Sequence, residues 1–173
     1  AGTIIETTFD DAGRETSRAV TTLASGFNGD VRRIETSYTN RGQVENVTQY
    51  DAATSGTAVD QVEYTYARHG GVESFRQDMN GVVDGVSSVD DYEVEYTWAL
   101  STGARESWRR SGVTMPSGKA LTYEYSSGID DEVSRLSIIK DGALRLAEYD
   151  YLGYTRVVGQ TYAIPDLMQE YYG

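Results

Sequence analysis

The sequence predicts an all-β fold: an array of about six two-stranded hairpins forming a curled or spiralling antiparallel sheet. Three observations predict it. First, "VEYTW" at 94–98 has near-copies in "VEYTY" at 62–66, "LTYEY" at 121–125 and "AEYDY" at 147–151. Second, each copy alternates large apolar residues with acids or threonines, the period of a strand with two unlike faces. Third, a glycine follows each copy within five positions, where a turn would close the strand onto its successor. The segment "PDLMQEYYG" at 165–173 is the one helix candidate, and it is short.

The last aromatic of each copy serves as an anchor: Phe9, Tyr38, Tyr66, Trp98, Tyr125 and Tyr151, spaced 26 to 32 residues apart. A period of this length marks a repeat architecture. The first strand sets Ile5, Thr7 and Phe9 on one face and Glu6 and Thr8 on the other. The second sets Ile34, Thr36 and Tyr38 against Glu35 and Ser37, and the third Val62, Tyr64 and Tyr66 against Glu63 and Thr65. The fourth has Val94, Tyr96 and Trp98 against Glu95 and Thr97, and the fifth Leu121, Tyr123 and Tyr125 against Thr122 and Glu124. The sixth sets Ala147, Tyr149 and Tyr151 against Glu148 and Asp150. One face is aromatic, expected to be the buried side; the other is acidic or hydroxylic.

Glycines follow the anchors at Gly13, Gly42, Gly70, Gly103, Gly128 and Gly153, and a second extended stretch comes after each. In these stretches Val44 and Val47 are three apart, as are Val72 and Phe75, which in a strand suggests a bulge. Arg14, Arg18, Arg76, Arg105, Arg109, Arg135 and Arg156 lie there too, placed to pair with glutamates of neighbouring first strands. Twelve strands are expected, joined between units by loops such as "DMNGVVDGVSSVDD" at 78–91.

Composition narrows the partners. A formal net charge of −12 repels nucleic acid and anionic membrane surfaces. No run reaches the roughly 20 apolar residues that span a bilayer. The chain has no cysteine, which leaves compartment open, since a repeat protein can rest on sheet hydrogen bonds instead of disulfides. It starts at Ala1 inside what reads as a strand, "TIIETTFD", so it is expected to be a processed chain or part of a longer chain or polymer. Residues 1–173 read as a single β-repeat array.

With these residues in view, the chain resembles the RHS/YD-repeat family, whose signature is an aromatic strand end such as Tyr-Asp, a Gly-Arg turn and an aliphatic strand. "FDDAGRETS" at 9–17 keeps Phe-Asp, Gly and Arg; "YTNRGQV" at 38–44 and "YARHGGV" at 66–72 keep the aromatic, the glycine and the valine; "YDYLGYTRVV" at 149–158 keeps Tyr-Asp-Tyr and Gly. The resemblance implies a secreted or cell-surface protein whose hairpins wind into a long spiralling sheet, in some members a shell around toxin cargo. The self-cleaving Asp-, Pro- and Gly-rich segment of the toxin-associated members has no counterpart here: Pro116 and Pro165, the two prolines, lie outside such a motif.

Candidate chemistry weighs little against this pattern. Glu6, Glu35, Glu63, Glu95 and Glu148 stand one per copy, whereas the paired carboxylates of a glycosidase are a local exception. The only histidine, His69, sits in a turn without a second nitrogen or sulfur ligand. The acidic turns Asp10-Asp11, Asp84, Asp90-Asp91 and Asp130-Asp131 lack the D-x-D-x-D-G pattern of a calcium loop. No catalytic, metal or cofactor-binding residue is therefore assigned. Asn46-Val47-Thr48 is an N-x-T acceptor, making Asn46 a possible glycosylation site. Trp98 and Trp108 with the tyrosines offer a sugar platform if exposed together, and a core if buried.

The expected function is a non-enzymatic structural protein that builds an extracellular fibre, stalk or shell by strand-edge assembly, its partners being further copies or further repeats. The alternative is a cell-surface binding module for adhesion or carbohydrate recognition, with a glycan as partner. The first strand and the region around "RVVGQTYAI" at 156–164 carry no lysine to guard an open edge.

Overall fold

The computed structural model describes residues 2–84, 91–102 and 106–162, and these are all-β. The strands are β1 (Ile4–Phe9), β2 (Glu15–Thr22), β3 (Arg33–Tyr38), β4 (Val44–Tyr50), β5 (Ala58–Tyr66) and β6 (Val72–Asp78). Then come β7 (Asp91–Leu100), β8 (Trp108–Thr114), β9 (Ala120–Glu124), the short helix α1 (Ile129–Glu132), β10 (Ile138–Asp141), β11 (Leu144–Leu152) and β12 (Arg156–Tyr162). Twelve strands follow one another in chain order in an open antiparallel sheet. The helix candidate at 165–173 lies outside the described residues, as do Gly103, Arg105 and positions 85–90 of the 78–91 loop.

Two compact units divide the chain, residues 1–93 and 94–173. In the first, β1 to β6 form a meander whose turns after Phe9, Tyr38 and Tyr66 share one geometry. Asp10 N–H donates to the Arg14 carbonyl and Gly13 N–H to the Asp10 carbonyl, both at 2.9 Å. Thr39, Gly42 and Gln43 repeat the pattern, and so do Ala67, Gly70 and Gly71. The glycine is needed because φ is positive there, +78° at Gly13 and +80° at Gly42. The Asp10 carboxylate adds what glycine cannot: Oδ1 accepts the N–H groups of Ala12 and Arg14, and Oδ2 accepts Arg14 Nε at 2.7 Å.

In the second unit the stretch after Tyr125 departs from expectation. The extended stretch expected after Gly128 is strand only from Ile138 onward. Gly128 precedes α1, and Asp130 and Asp131 in its first turn reach out to arginines. The helix exists because Asp130 receives Arg135 Nε and Nη2 and also Ser137 Oγ, which closes the loop in place of a glycine turn.

The aromatic face is not the buried core that the alternation predicts. Among the described residues the buried apolar side chains are Ala19, Val113 and Ala147, and no large side chain is fully buried. The physical reason is what lies over the rings. Arginine side chains cover Tyr38, Tyr125 and Tyr151, so each of these tyrosines is half-buried beneath a cation instead of sealed beneath a second layer. Among the described residues no helix is long and apolar enough to cross a membrane.

Candidate functional site

The anchors mark a recurrent joint. In five of the strand pairs the ladder shifts register immediately before the anchor: at Thr8/Phe9, Ser37/Tyr38, Thr65/Tyr66, Thr97/Trp98 and Asp150/Tyr151. One extra residue on the opposite strand is left unpaired, namely Thr16, Glu45, Glu73, Ser111 or Val158. Such a bulge bends the strand and re-aims its neighbours. The valine and phenylalanine spacings at 44–47 and 72–75 are the sequence trace of two of these bulges.

The re-aimed group is a carbonyl. Tyr38 donates its hydroxyl to the Glu15 carbonyl at 2.7 Å, and Glu15 is the residue paired with Phe9, the anchor before it. Tyr66 donates to the Val44 carbonyl at 2.6 Å, and Val44 is paired with Tyr38. Tyr125 donates to the Arg110 carbonyl at 2.7 Å, and Arg110 is paired with Trp98. Tyr151 donates to the Leu136 carbonyl at 2.7 Å. Each tyrosine hydroxyl thus fastens its own strand pair to the unit before it. Burial raises the phenol pKa of Tyr66, Tyr125 and Tyr151, which keeps the hydroxyl protonated as a donor.

For three of the four tyrosines an arginine covers the ring from the position one before that carbonyl. Arg14 lies 4.3 Å from the Tyr38 centroid, Arg109 lies 4.1 Å from Tyr125, and Arg135 lies 4.7 Å from Tyr151. Cation–π contacts of this kind are worth about 0.5–2 kcal/mol each. Two residues that precede such a carbonyl also reach the next glycine turn: Gln43 Nε2 donates to the Gly70 carbonyl at 3.0 Å, and Arg135 Nη1 to the Gly153 carbonyl. Three of the ladders between successive strand pairs keep one register. The residue opposite the position before one anchor pairs with the position three before the next: Ser17 with Glu35, Asn46 with Glu63, Gly112 with Thr122. Where α1 replaces the glycine turn, Ile138 takes the corresponding place opposite Glu148.

The other sequence candidates fall as follows. Phe9 is 61% exposed and Trp98 half-buried beneath Arg110, whereas Trp108 is 50% exposed. Asn46 lies within β4, its amide donating to Ser37 Oγ at 3.1 Å, while Thr48 of the same triplet is buried. The glutamates take cations in part: Glu63 and Glu93 face Arg76, Glu35 faces Arg33 at 2.9 Å, and Lys140 reaches Glu124 at 2.5 Å. Asp131 is buried, accepting Thr102 Oγ1 at 2.8 Å and pairing with Arg109, which together hold its carboxyl below the usual range. Asp10 is held low as well, by the Arg14 amide and guanidinium. Among the described residues, no group of three or more His, Asp or Glu side chains converges as a metal site.

The arginine clamps were missed in the sequence, which assigns those arginines to glutamates across the polar face. Arg76 pairs as that reading expects, with Glu63 of the neighbouring first strand. The signal was present nonetheless, in the arginine that follows the turn glycine in "GRETS". No protein-family model matches the chain, and no curated protein is similar to it.

Proposed function

We propose that the chain is a non-enzymatic structural repeat protein, an array of about six two-stranded hairpins that builds an extracellular fibre, stalk or shell through its strand edges. The observation that carries this reading is the recurrent joint. Tyrosine-anchored units are fastened to the one before by a hydroxyl on a main-chain carbonyl, most with a cation on the ring, a geometry with no built-in stop. An open sheet of this many strands curls, and hairpins added at either edge would extend it as a non-closing array. The resemblance to RHS/YD repeats supports a secreted or surface location. The acids support the non-enzymatic reading by their places, since Glu35, Glu63, Glu124 and Asp131 are engaged in ion pairs. Light scattering and negative-stain microscopy test the proposal: fibres or large particles are expected, and a monodisperse 19.1 kDa species up to high concentration would overturn it.

A second reading, glycan binding, draws on one observation. Between the turns at 39–43 and 67–71, Tyr38, Tyr64, Tyr66, Asn40, Arg41 and Arg68 line an open groove of about 660 Å³. Aromatic rings beside planar hydrogen-bonding groups suit a sugar face. Glycan-array binding that is lost in Arg41→Ala would favour it; an empty array would remove it.

A further inference from the structure

β1 is an anchor strand whose outer edge has no partner among the described residues, and β12 is a bulged second strand in the same position. β1 is exposed along its whole length, with Ile5 at 57% and Phe9 at 61%. β12 is exposed at every residue but Gly159. The two edges are the two halves of the joint described above. Each tyrosine anchor rests on a carbonyl of the unit before it, whereas among the described residues no such carbonyl lies beneath Phe9. Val157, paired with Tyr151, holds the position of Glu15, Val44 and Arg110, and Arg156 before it holds the position of Arg14, Gln43 and Arg109. Arg156 has no ring or carboxylate partner among the described residues.

We infer that β12 of one copy receives β1 of a second copy in the register used inside the chain, with Arg156 over Phe9 and reaching toward the Asp10–Gly13 turn. The internal rule fixes the alignment. Gly159 stands opposite Asp150, one before the anchor Tyr151, so it pairs with the position three before the next anchor, which is Glu6 of the second copy. That position is glutamate in Glu35, Glu63 and Glu148, and it is glutamate again in Glu6. One step on, Gln160 meets Ile5, as Arg18 meets Ile34, Val47 meets Val62 and Val113 meets Leu121. The contact is head-to-tail, so each addition regenerates the same edge. The inference rests on the assembly reading above and adds to it the partner and the register.

The chain has no cysteine, which makes the register measurable. Ile5→Cys and Gln160→Cys chains, made separately, mixed and oxidised, should give a disulfide between positions 5 and 160 as the main product by peptide mass spectrometry. Ile5→Cys mixed with Tyr162→Cys, a two-residue slip, should give little. A bond between positions 5 and 162 that exceeds the one between 5 and 160, or association with neither bond, would overturn the register while leaving assembly standing. Absence of any association between wild-type copies would overturn both. A second variant acts in the opposite sense. Phe9→Tyr supplies the hydroxyl that Tyr38 and Tyr66 use, and should tighten association roughly three- to tenfold, the worth of one net hydrogen bond. Arg156→Ala should weaken it by a similar factor. If neither substitution changes the association constant while circular dichroism shows both folded, the clamp between copies does not form.

Discussion

Arg14 and Arg109 each lay a guanidinium over the tyrosine that follows, at 4.3 Å and 4.1 Å from the ring centroid, yet different parts of the chain hold them in place. Arg14 is tied to Asp10, four residues back in the same turn, and the pair is partly open to solvent. Arg109 is tied to Asp131, 22 residues on, and both side chains are about nine-tenths buried. Where a short glycine turn closes a strand pair, one local carboxylate orients the cation. Arg135, the clamp that follows α1, is held locally too, by Asp130. Arg109 of β8 instead takes its orienting acid from α1 of the following pair, a distant segment, where the carboxylate is sealed inside. The local version at Arg14 is cheap and exposed; the long-range version commits a buried charge that must stay paired.

The largest effect should come from breaking the long-range version. Arg109→Ala removes the partner of a buried carboxylate and the cover of Tyr125, and should cost about 3–5 kcal/mol. Arg14→Ala loses a partly exposed pair and one ring contact, so about 1 kcal/mol is expected. Urea titrations of the two variants check the contrast, and equal losses would collapse it. Next come the glycines. A Cβ at Gly112 would lie 2.7 Å from the Leu121 carbonyl oxygen and 2.8 Å from Thr97 Oγ1. Gly112→Ala should therefore cost about 2–3 kcal/mol through steric displacement of the ladder. At Gly13 the space is open and only the positive φ resists, so Gly13→Ala should cost about 1 kcal/mol.

The hydroxyl joints should behave alike in both regions, which sharpens where the difference lies. Tyr66→Phe and Tyr125→Phe each delete one bond to a main-chain carbonyl and should each lose about 1 kcal/mol, read by thermal melts. The smallest change is expected near neutrality. The carboxyls of Asp10 and Asp131 are depressed in the folded chain, so their contribution is complete above the unfolded value of about 3.9 and fades as pH falls through their lower folded values. The raised phenols of Tyr66, Tyr125 and Tyr151 act in the opposite sense. Their contribution is whole below about pH 10 and is lost as pH rises through the folded values. A plateau in the melting temperature between these limits, falling on both sides, is the expected profile. A single maximum at the isoelectric pH of about 4.4 would contradict it.

Strand positions were readable because alternation is a local property: the face that carries Val62, Tyr64 and Tyr66 can be seen without knowing what it touches. The bulges at Glu45 and Glu73 were readable for the same reason, as an apolar spacing of three where two was due. The clamp was not. Which arginine covers which ring depends on pairing between segments more than ten residues apart, and an arginine beside a glutamate in sequence is an ambiguous neighbour. The helix at 129–132 was hidden because its stability lies in the reach of Asp130 and Asp131 to Arg135 and Arg109, not in helical periodicity. The burial expected of Phe9 failed for a positional reason: its strand lies at an edge, where among the described residues no bulge carbonyl or guanidinium covers it.

The tyrosine hydroxyls do not read side chains. The acceptors are the carbonyls of Glu15, Val44, Arg110 and Leu136, four residues with nothing in common but a backbone. A joint addressed to the main chain puts almost no demand on the identity of the residue it grips, and asks only for a ring with a hydroxyl and a carbonyl set at the right height. Substitutions can therefore accumulate at the gripped position in one copy without any matching change in the next. The copies are free to drift apart in their letters while the mechanical pitch between them stays fixed, so kinship among such units is better sought in ladder register than in residue identity.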